Sequence, residues 1–236
     1  MQNFNVLSEI NEIPVVGLKE DAFNQHKDIR SLTLPNSIKT IESCAFYYCI
    51  SHLKNIQNVK YEQFEDGFWV THAHRGFDNF NVLSEINEIP VVGLKEDAFN
   101  QHKDIRSLTL PNSIKTIESC AFYYCISLEE IKFPDSIETI PYSCFHSCSS
   151  LESIRIPNSV TIIDDMAFVN CKSLKTITIP DNIQKIDKSA FIGCHNIMHV
   201  QFSRTLVDRP DADEIFNQLF EAGLRTREIL LRIPSM

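Results

Sequence analysis

The chain has 236 residues, of which 43% are hydrophobic and 22% charged, enough apolar material to bury one sizeable core or two small ones and too much for a disordered chain. A net charge of -9 with a pI near 5.4 leaves no basic stripe of the kind that neutralises a phosphate backbone, which excludes nucleic acid as a partner. No apolar run approaches the roughly 20 residues needed to span a bilayer. Met1 to Val16, interrupted by Asn, Glu and Ser, has neither the charged nor the apolar region of a signal peptide, and no Asn opens a glycosylation sequon. A cytoplasmic location is the expectation.

Two periods are superimposed along the chain. Asn3 to Ser51 recur unchanged 76 positions later as Asn79 to Ser127, a run of 49 residues that marks a recent duplication or an error of sequence assembly. Beneath it lies a 23-residue unit, visible in the Ala-Phe pairs at Ala98, Ala121, Ala167 and Ala190, with Cys144 in the same slot. Ala22 and Ala45 repeat the step, and Gly67-Phe68 reads as a worn version of the next pair.

In chain order these periods define a first repeat block over 3–51 with two coils. A degenerate coil, an insertion or a linker follows over 52–78. A second block of about five coils spans 79–203, and a C-terminal cap 204–236. Each unit opens on a short strand. Leu174, Ile177 and Ile179 have aliphatic or aromatic counterparts at Leu151, Ile154, Ile156 and at Leu128, Ile131, Phe133, and the last two of each trio alternate as one face of a strand does. Pro111, Pro134, Pro157 and Pro180 end those strands, because proline cannot donate to a ladder. A second extended piece follows, with Ile114 and Ile117 matched by Ile137 and Ile140, Val160 and Ile163, and Ile183 and Ile186. The chain then turns at Ala-Phe, where Ala suits a crowded corner and Phe99, Phe122, Phe145, Phe168 and Phe191 fill the coil's centre. No coil buries that face alone, so the coils must stack about 4.8 Å apart. After Ser203 the period is lost. Asp211 to Glu214 reads as a helix start with a capping-box arrangement, Ile215, Phe216, Leu219 and Phe220 as an apolar stripe and Gly223 as the stop, which makes a cover for the last coil. The first residues supply no comparable cover, so self-association through the N-terminal coil, or fraying of residues 1–51, is expected.

The full pattern, C-x-S-L-x-x-I-x-I-P-x-S-I-x-x-I-x-x-x-A-F-x-x-C, is most complete from Cys171 to Cys194. It resembles the Treponema-type, or BspA-like, leucine-rich repeats, closely from Leu83 to Phe202 and again from Leu7 to Ser51. The resemblance implies a leucine-rich-repeat solenoid with a parallel sheet along one side. It implies no enzyme activity and no cofactor, and in several members a surface-exposed role in adhesion or binding of host protein.

Each candidate for chemistry has a plainer reading beside it. Cys125, Cys148, Cys171 and Cys194 stack one above another as small buried side chains; bridges between coils and a zinc site at Cys44-Cys49 or Cys120-Cys125 are the alternatives. His26 and His102 fill the same slot as structural residues. His72 and His74 would point the same way on a strand, with Glu65 and Asp66 near, as a metal site would require; the plainer reading is a polar insertion. Asp164-Asp165 falls on a turn, solvated rather than catalytic. There remains the outward face of the strands. One column runs Thr109, Lys132, Arg155, Thr178, Gln201 and its neighbour Ser107, Glu130, Ser153, Thr176, His199. These slots vary freely while the inward ones barely change, as on a surface that recognises a protein, although solvent exposure alone would give the same variation. Arg155 is the only residue in them of the kinds that anchor interfaces. Tyr47, Tyr48, Tyr123 and Tyr124, at the coil corner, form a rival patch. The function expected is a non-enzymatic protein-interaction module. A surface adhesin, a metal-binding protein using His72 and His74, and a structural or inactive recombination product remain as alternatives.

Overall fold

The computed structural model describes residues 2–5, 9–10, 13–20, 22–23, 29–33, 38–42, 45, 59–73, 79–86, 88–202 and 204–222. In the second block each 23-residue unit makes one coil of a solenoid with two sheets. The front sheet is built from Asn79–Asn81, Ser107–Thr109, Glu130–Lys132, Ser153–Arg155, Thr176–Thr178 and His199–Gln201. The back sheet carries Ile89–Leu94, Thr116–Ile117, Thr139–Ile140, Ile162–Ile163 and Lys185–Ile186. Successive paired strands are parallel, 28 residues apart at the first front step, where Asn79 opposes Ser107, and 23 apart at the later ones, as with Ser153 opposite Thr176 and Thr176 opposite His199. Leu108, Ile131, Ile154, Ile177 and Val200 face inward and are buried, with outward neighbours on either side.

The interior is a set of ladders, because one residue type recurs at one place in every coil. Phe99, Phe122, Phe145, Phe168 and Phe191 stack with centroids 5.2, 5.2, 5.4 and 5.2 Å apart, the separation of neighbouring coils. Each ladder thiol donates to the carbonyl of the Phe one coil earlier: Cys125 to Phe99 at 3.0 Å, Cys148 to Phe122 at 3.2 Å, Cys171 to Phe145 at 3.1 Å and Cys194 to Phe168 at 2.9 Å. The turns at four successive corners place non-glycine residues in the left-handed region just before the Ala slot and just before the Cys slot, at Asp97 and Gln101, Cys120 and Tyr124, Ser143 and Ser147, and Met166 and Asn170. Gly193, φ 81°, is the one coil's glycine at the second of these positions.

Each sheet breaks once in the second block. In the back sheet Glu118, Asp164 and Asp187 donate their N–H groups to Leu94, Ile140 and Ile163 of the preceding coil at 2.9, 3.0 and 2.9 Å. Pro141 stands at this slot without an N–H, and the ladder stops between Thr116–Ile117 and Thr139–Ile140. In the front sheet the ladder stops between Glu130–Lys132 and Ser153–Arg155. There Phe133 takes the slot that Leu110, Ile156 and Ile179 fill fully buried; it stays half-buried, edge-on to Phe145 with centroids 5.7 Å apart.

The stretch between the blocks is a β-hairpin. Val59–Phe64 and Gly67–Ala73 pair antiparallel around Glu65-Asp66, with Gly67 at φ 145°. Gly67–Ala73 also pairs parallel with Ile89–Leu94 of the second block, and Val59–Phe64 pairs antiparallel with Thr40–Ile41 of the first. The back sheet therefore runs from one block into the other through a single reversed strand. Gly67-Phe68 is not a worn Ala-Phe corner: both residues lie in a strand, with Phe68 opposite Val91. The Phe slot is instead held by Ala73, whose N–H donates to Ala98 O at 2.7 Å as that of Phe99 donates to Ala121 O at 2.8 Å. Gly93 is required here, since a Cβ on it would lie 2.3 Å from the Trp69 ring.

Identical sequence produces identical pairing in the two blocks. Glu9 opposes Pro14 as Glu85 opposes Pro90, and Gly17 opposes Thr40 as Gly93 opposes Thr116.

At the other end two helices, Arg204–Val207 and Ala212–Glu221, cover the last coil. Ala222 O accepts the N–H of Phe191 at 3.2 Å, in place of the corner Ala of a further coil, and Gln218 Oε1 accepts the N–H of Ile186 at 2.7 Å. Arg209 donates to the carbonyls of Asp181 and Ile183, 2.7 Å each. Two expectations need correction. Asp211 makes no side-chain capping bond, because the Arg209 guanidinium takes its carboxylate. Phe220 is 67% exposed, and the buried face is Ile215, Leu219 and Ala222 with Phe216 against Phe202. Gly223 lies outside the described residues.

Candidate protein-binding surface

All ten residues of the two outward columns lie on front strands, in the register their spacing requires. Ser107, Thr109, Glu130, Lys132, Ser153, Arg155 and His199 are exposed, whereas Thr176, Thr178 and Gln201 are half-buried. Thr178 Oγ1 lies 3.1 Å from Gln201 Oε1, which ties the last steps of one column together.

The columns are not one flat face. Where the ladder stops, a groove of about 450 Å³ opens between two coils, lined by Glu130, Lys132, Phe133, Asp135, Ser153 and Arg155 among others. The sequence reading missed Phe133 and Asp135 as part of this surface. The available signal was Phe at a slot otherwise held by Leu or Ile.

Charge distinguishes the groove further. Three other cations meet an acid one coil away: Lys95 and Glu118 at 2.9 Å, Arg106 and Glu129 at 3.0 Å, Lys175 and Glu152 at 3.1 Å. Arg155 follows Lys132 in its column and precedes Thr178, so it has no acid at either step. Its side chain makes no ion pair or hydrogen bond among the described residues. Lys132 meets Glu130 of its own strand at 3.6 Å.

The rival patch is larger than its sequence signal. Tyr123 packs on Tyr124 and on His146, centroids 4.8 Å apart in each case, and Tyr142 stands 43% exposed on the same corner. Burial holds the His146 imidazole below its usual pKa and pushes the Tyr123 phenol up, with Tyr124, Cys120 and Tyr142 adding to the latter shift. Tyr47 and Tyr48 lie outside the described residues.

The remaining candidates separate. Cys120, Cys125, Cys144, Cys148, Cys171 and Cys194 are free thiols; burial pushes Cys125 up to about 12 and Cys144, Cys148 and Cys171 well above the ordinary range. Cys44, Cys49, His26 and His74 lie outside the described residues. His102 is buried in the thiol slot, and His72 is exposed on the hairpin. Among the described residues no group of three or more His, Cys, Asp or Glu side chains is placed to hold a metal ion. Asp164 accepts the N–H of Asp165 at 2.9 Å, and Asp165 is hydrogen-bonded to the Ser189 hydroxyl. Ser189 also binds Asp187, whose carboxyl is held below its usual range chiefly by the backbone N–H of Ser189. Trp69 donates to Asp66 at 2.9 Å and lies beneath the Lys95 ammonium, 4.0 Å from its centroid, a cation–π contact that anchors the hairpin to the second block.

Comparison with known proteins agrees with this geometry. The family model described as BspA type Leucine rich repeat region matches residues 3–70 and 92–217, in 6 copies. Among solved structures the chain is similar to the T. pallidum leucine rich repeat protein, with 29% identity and a TM-score of 0.58 over 61% of this chain and 68% of that one. It is also similar to a leucine rich cell surface protein from Faecalibacterium prausnitzii, with 26% identity and a TM-score of 0.54 over 80% of this chain and 58% of that one. The pneumococcal vaccine antigen PcpA shares the fold, with 15% identity and a TM-score of 0.53 over 94% of this chain and 66% of that one. A search of curated proteins gives no match. No helix among the described residues is long and apolar enough to cross a membrane.

Proposed function

We propose, from the premise that the chain belongs to the BspA-type leucine-rich repeat family, that it is a non-enzymatic module recognising a protein through the front sheet. The observation that carries this reading is the groove at the ladder break, where Ser153, Arg155, Glu130 and Lys132 of the outward columns meet around an open volume. Such a concavity with an unengaged guanidinium gives a partner both shape and a directional anchor. The test is quantitative co-purification from cells that make the protein, comparing Ser153→Glu with Lys185→Glu on the back sheet. Loss of the same partners with the first variant alone supports the reading; equal loss or equal retention rejects it.

A second reading places this face outside the cell, as an adhesive surface. It is favoured by the 26% identity to a protein described as a cell surface protein. Surface labelling of intact cells separates it from the cytoplasmic reading. Self-association through the N-terminal coil is a further proposal, supported by apolar residues that the first block leaves open.

A further inference from the structure

The unpaired Arg155 side chain on the rim of the groove, next in its column to Lys132, limits what the groove can bind. Along the solenoid, a cation and an acid one coil apart neutralise each other at Lys95 and Glu118, Arg106 and Glu129, and Lys175 and Glu152. The step from Lys132 to Arg155 puts like charges at equivalent sites of adjacent coils, in a chain whose net charge is -9. Like charges across neighbouring strands destabilise a sheet, and at this step the ladder is interrupted and the groove opens. Glu130 answers only Lys132, at 3.6 Å. An anionic group entering beside Arg155 would satisfy the guanidinium and remove the repulsion in the same event.

We propose that the groove binds a carboxylate side chain of an extended acidic segment on the partner protein. Arg155 is the anchor, presenting its planar fork to the carboxylate. Lys132 is the second cation, and Phe133 provides an apolar floor beside them. This inference rests on the front-sheet reading and adds the partner's chemistry to it. Arg155 is then a residue kept for binding at a cost to the unliganded fold.

The experiment uses the full chain and three labelled octapeptides, alternating Glu-Ser, Gln-Ser and Lys-Ser, followed by fluorescence anisotropy at low and high salt. The Glu peptide is expected to bind roughly tenfold or more tightly than the Gln peptide, with affinity falling as salt rises. Arg155→Thr should remove that preference while raising the unfolding midpoint by about a degree. Lys185→Thr, the same change of charge on the back sheet, should leave the peptide affinity unchanged. The inference is overturned by equal binding of the Gln peptide, by preference for the Lys peptide through Glu130 and Asp135, by equal effects of Arg155→Thr and Lys185→Thr, or by no binding at all. If these fail while Ser153→Glu still abolishes partner co-purification, the front sheet remains the binding face and only the acidic class is rejected.

Discussion

Val16 and Val92 are the same residue in two copies of one sequence, yet Val16 is 49% exposed and Val92 5%. The difference is the strand Gly67–Ala73, which pairs with Ile89–Leu94 on the side away from Thr116–Ile117. Among the described residues no strand occupies that side of Gly17–Leu18. Ala22 is likewise exposed where Ala98 is fully buried.

An open edge with apolar neighbours is a template for pairing with another chain. Light scattering after gel filtration should show association that grows with concentration, and Val16→Asp should abolish it with a stability loss under about 0.5 kcal/mol. Val92→Asp buries the charge and should cost several kcal/mol. A concentration-independent monomer, or an oligomer unaffected by Val16→Asp, contradicts pairing at this edge.

The thiol ladder makes stability fall at high pH. Cys125 ordinarily titrates near 9.0 and is pushed up to about 12 by burial, so folded and unfolded chains hold its proton equally below pH 9. Between pH 9 and 12 the unfolded thiol ionises and the folded one does not. Stability should therefore drop by about 1.4 kcal/mol per pH unit for each such thiol. Denaturant unfolding from pH 8 to 11 measures the slope, and thiol counting in denaturant should give the same number with and without reductant. A flat pH profile, or reductant-dependent counts, means the thiols are accessible or bridged.

Phe145→Ala should cost about 3 to 5 kcal/mol, because its ring is fully buried between Phe122 and Phe168. Thr178→Ala should cost about 1 kcal/mol or less, the size of one hydrogen bond to Gln201. Equal costs in denaturant unfolding would place the inward and outward columns wrongly.

The corner residues carry backbone strain that glycine relieves. Ser147, at φ 62°, should gain up to about 1 kcal/mol on change to Gly. Gly193→Ala should lose at least that much, as its φ is 81° and its new Cβ would lie 2.4 Å from Asn170 Oδ1. Thermal unfolding of the two variants should move in opposite directions.

The ladders were legible in the sequence because a parallel stack repeats one environment in every coil, so the type of residue reports its place. The Phe and Cys columns are of this kind; the outward columns follow from their register with the inward ones, and the helical cover from its own apolar stripe. What the sequence obscured was whatever differs between coils. Pro141 and Phe133 each occupy a slot where other coils carry something else, and the consequence is a broken ladder rather than a missing coil. The hairpin was hidden because Val59 to Phe64 alternates as any half-buried strand does, and alternation carries no strand direction; Asp66-Gly67 was the available turn signal. Arg155 was visible as an anchor, but its lack of a counterion follows only from the pairs its neighbours make.

A photocrosslinking residue placed at position 153, on the rim of the groove, tests the front sheet most directly in cells that make the protein. A discrete protein adduct is expected from position 153, lost in the Arg155→Thr background, with none from position 185 on the back sheet. Adducts from position 185 and none from 153 would contradict the front sheet as the binding face.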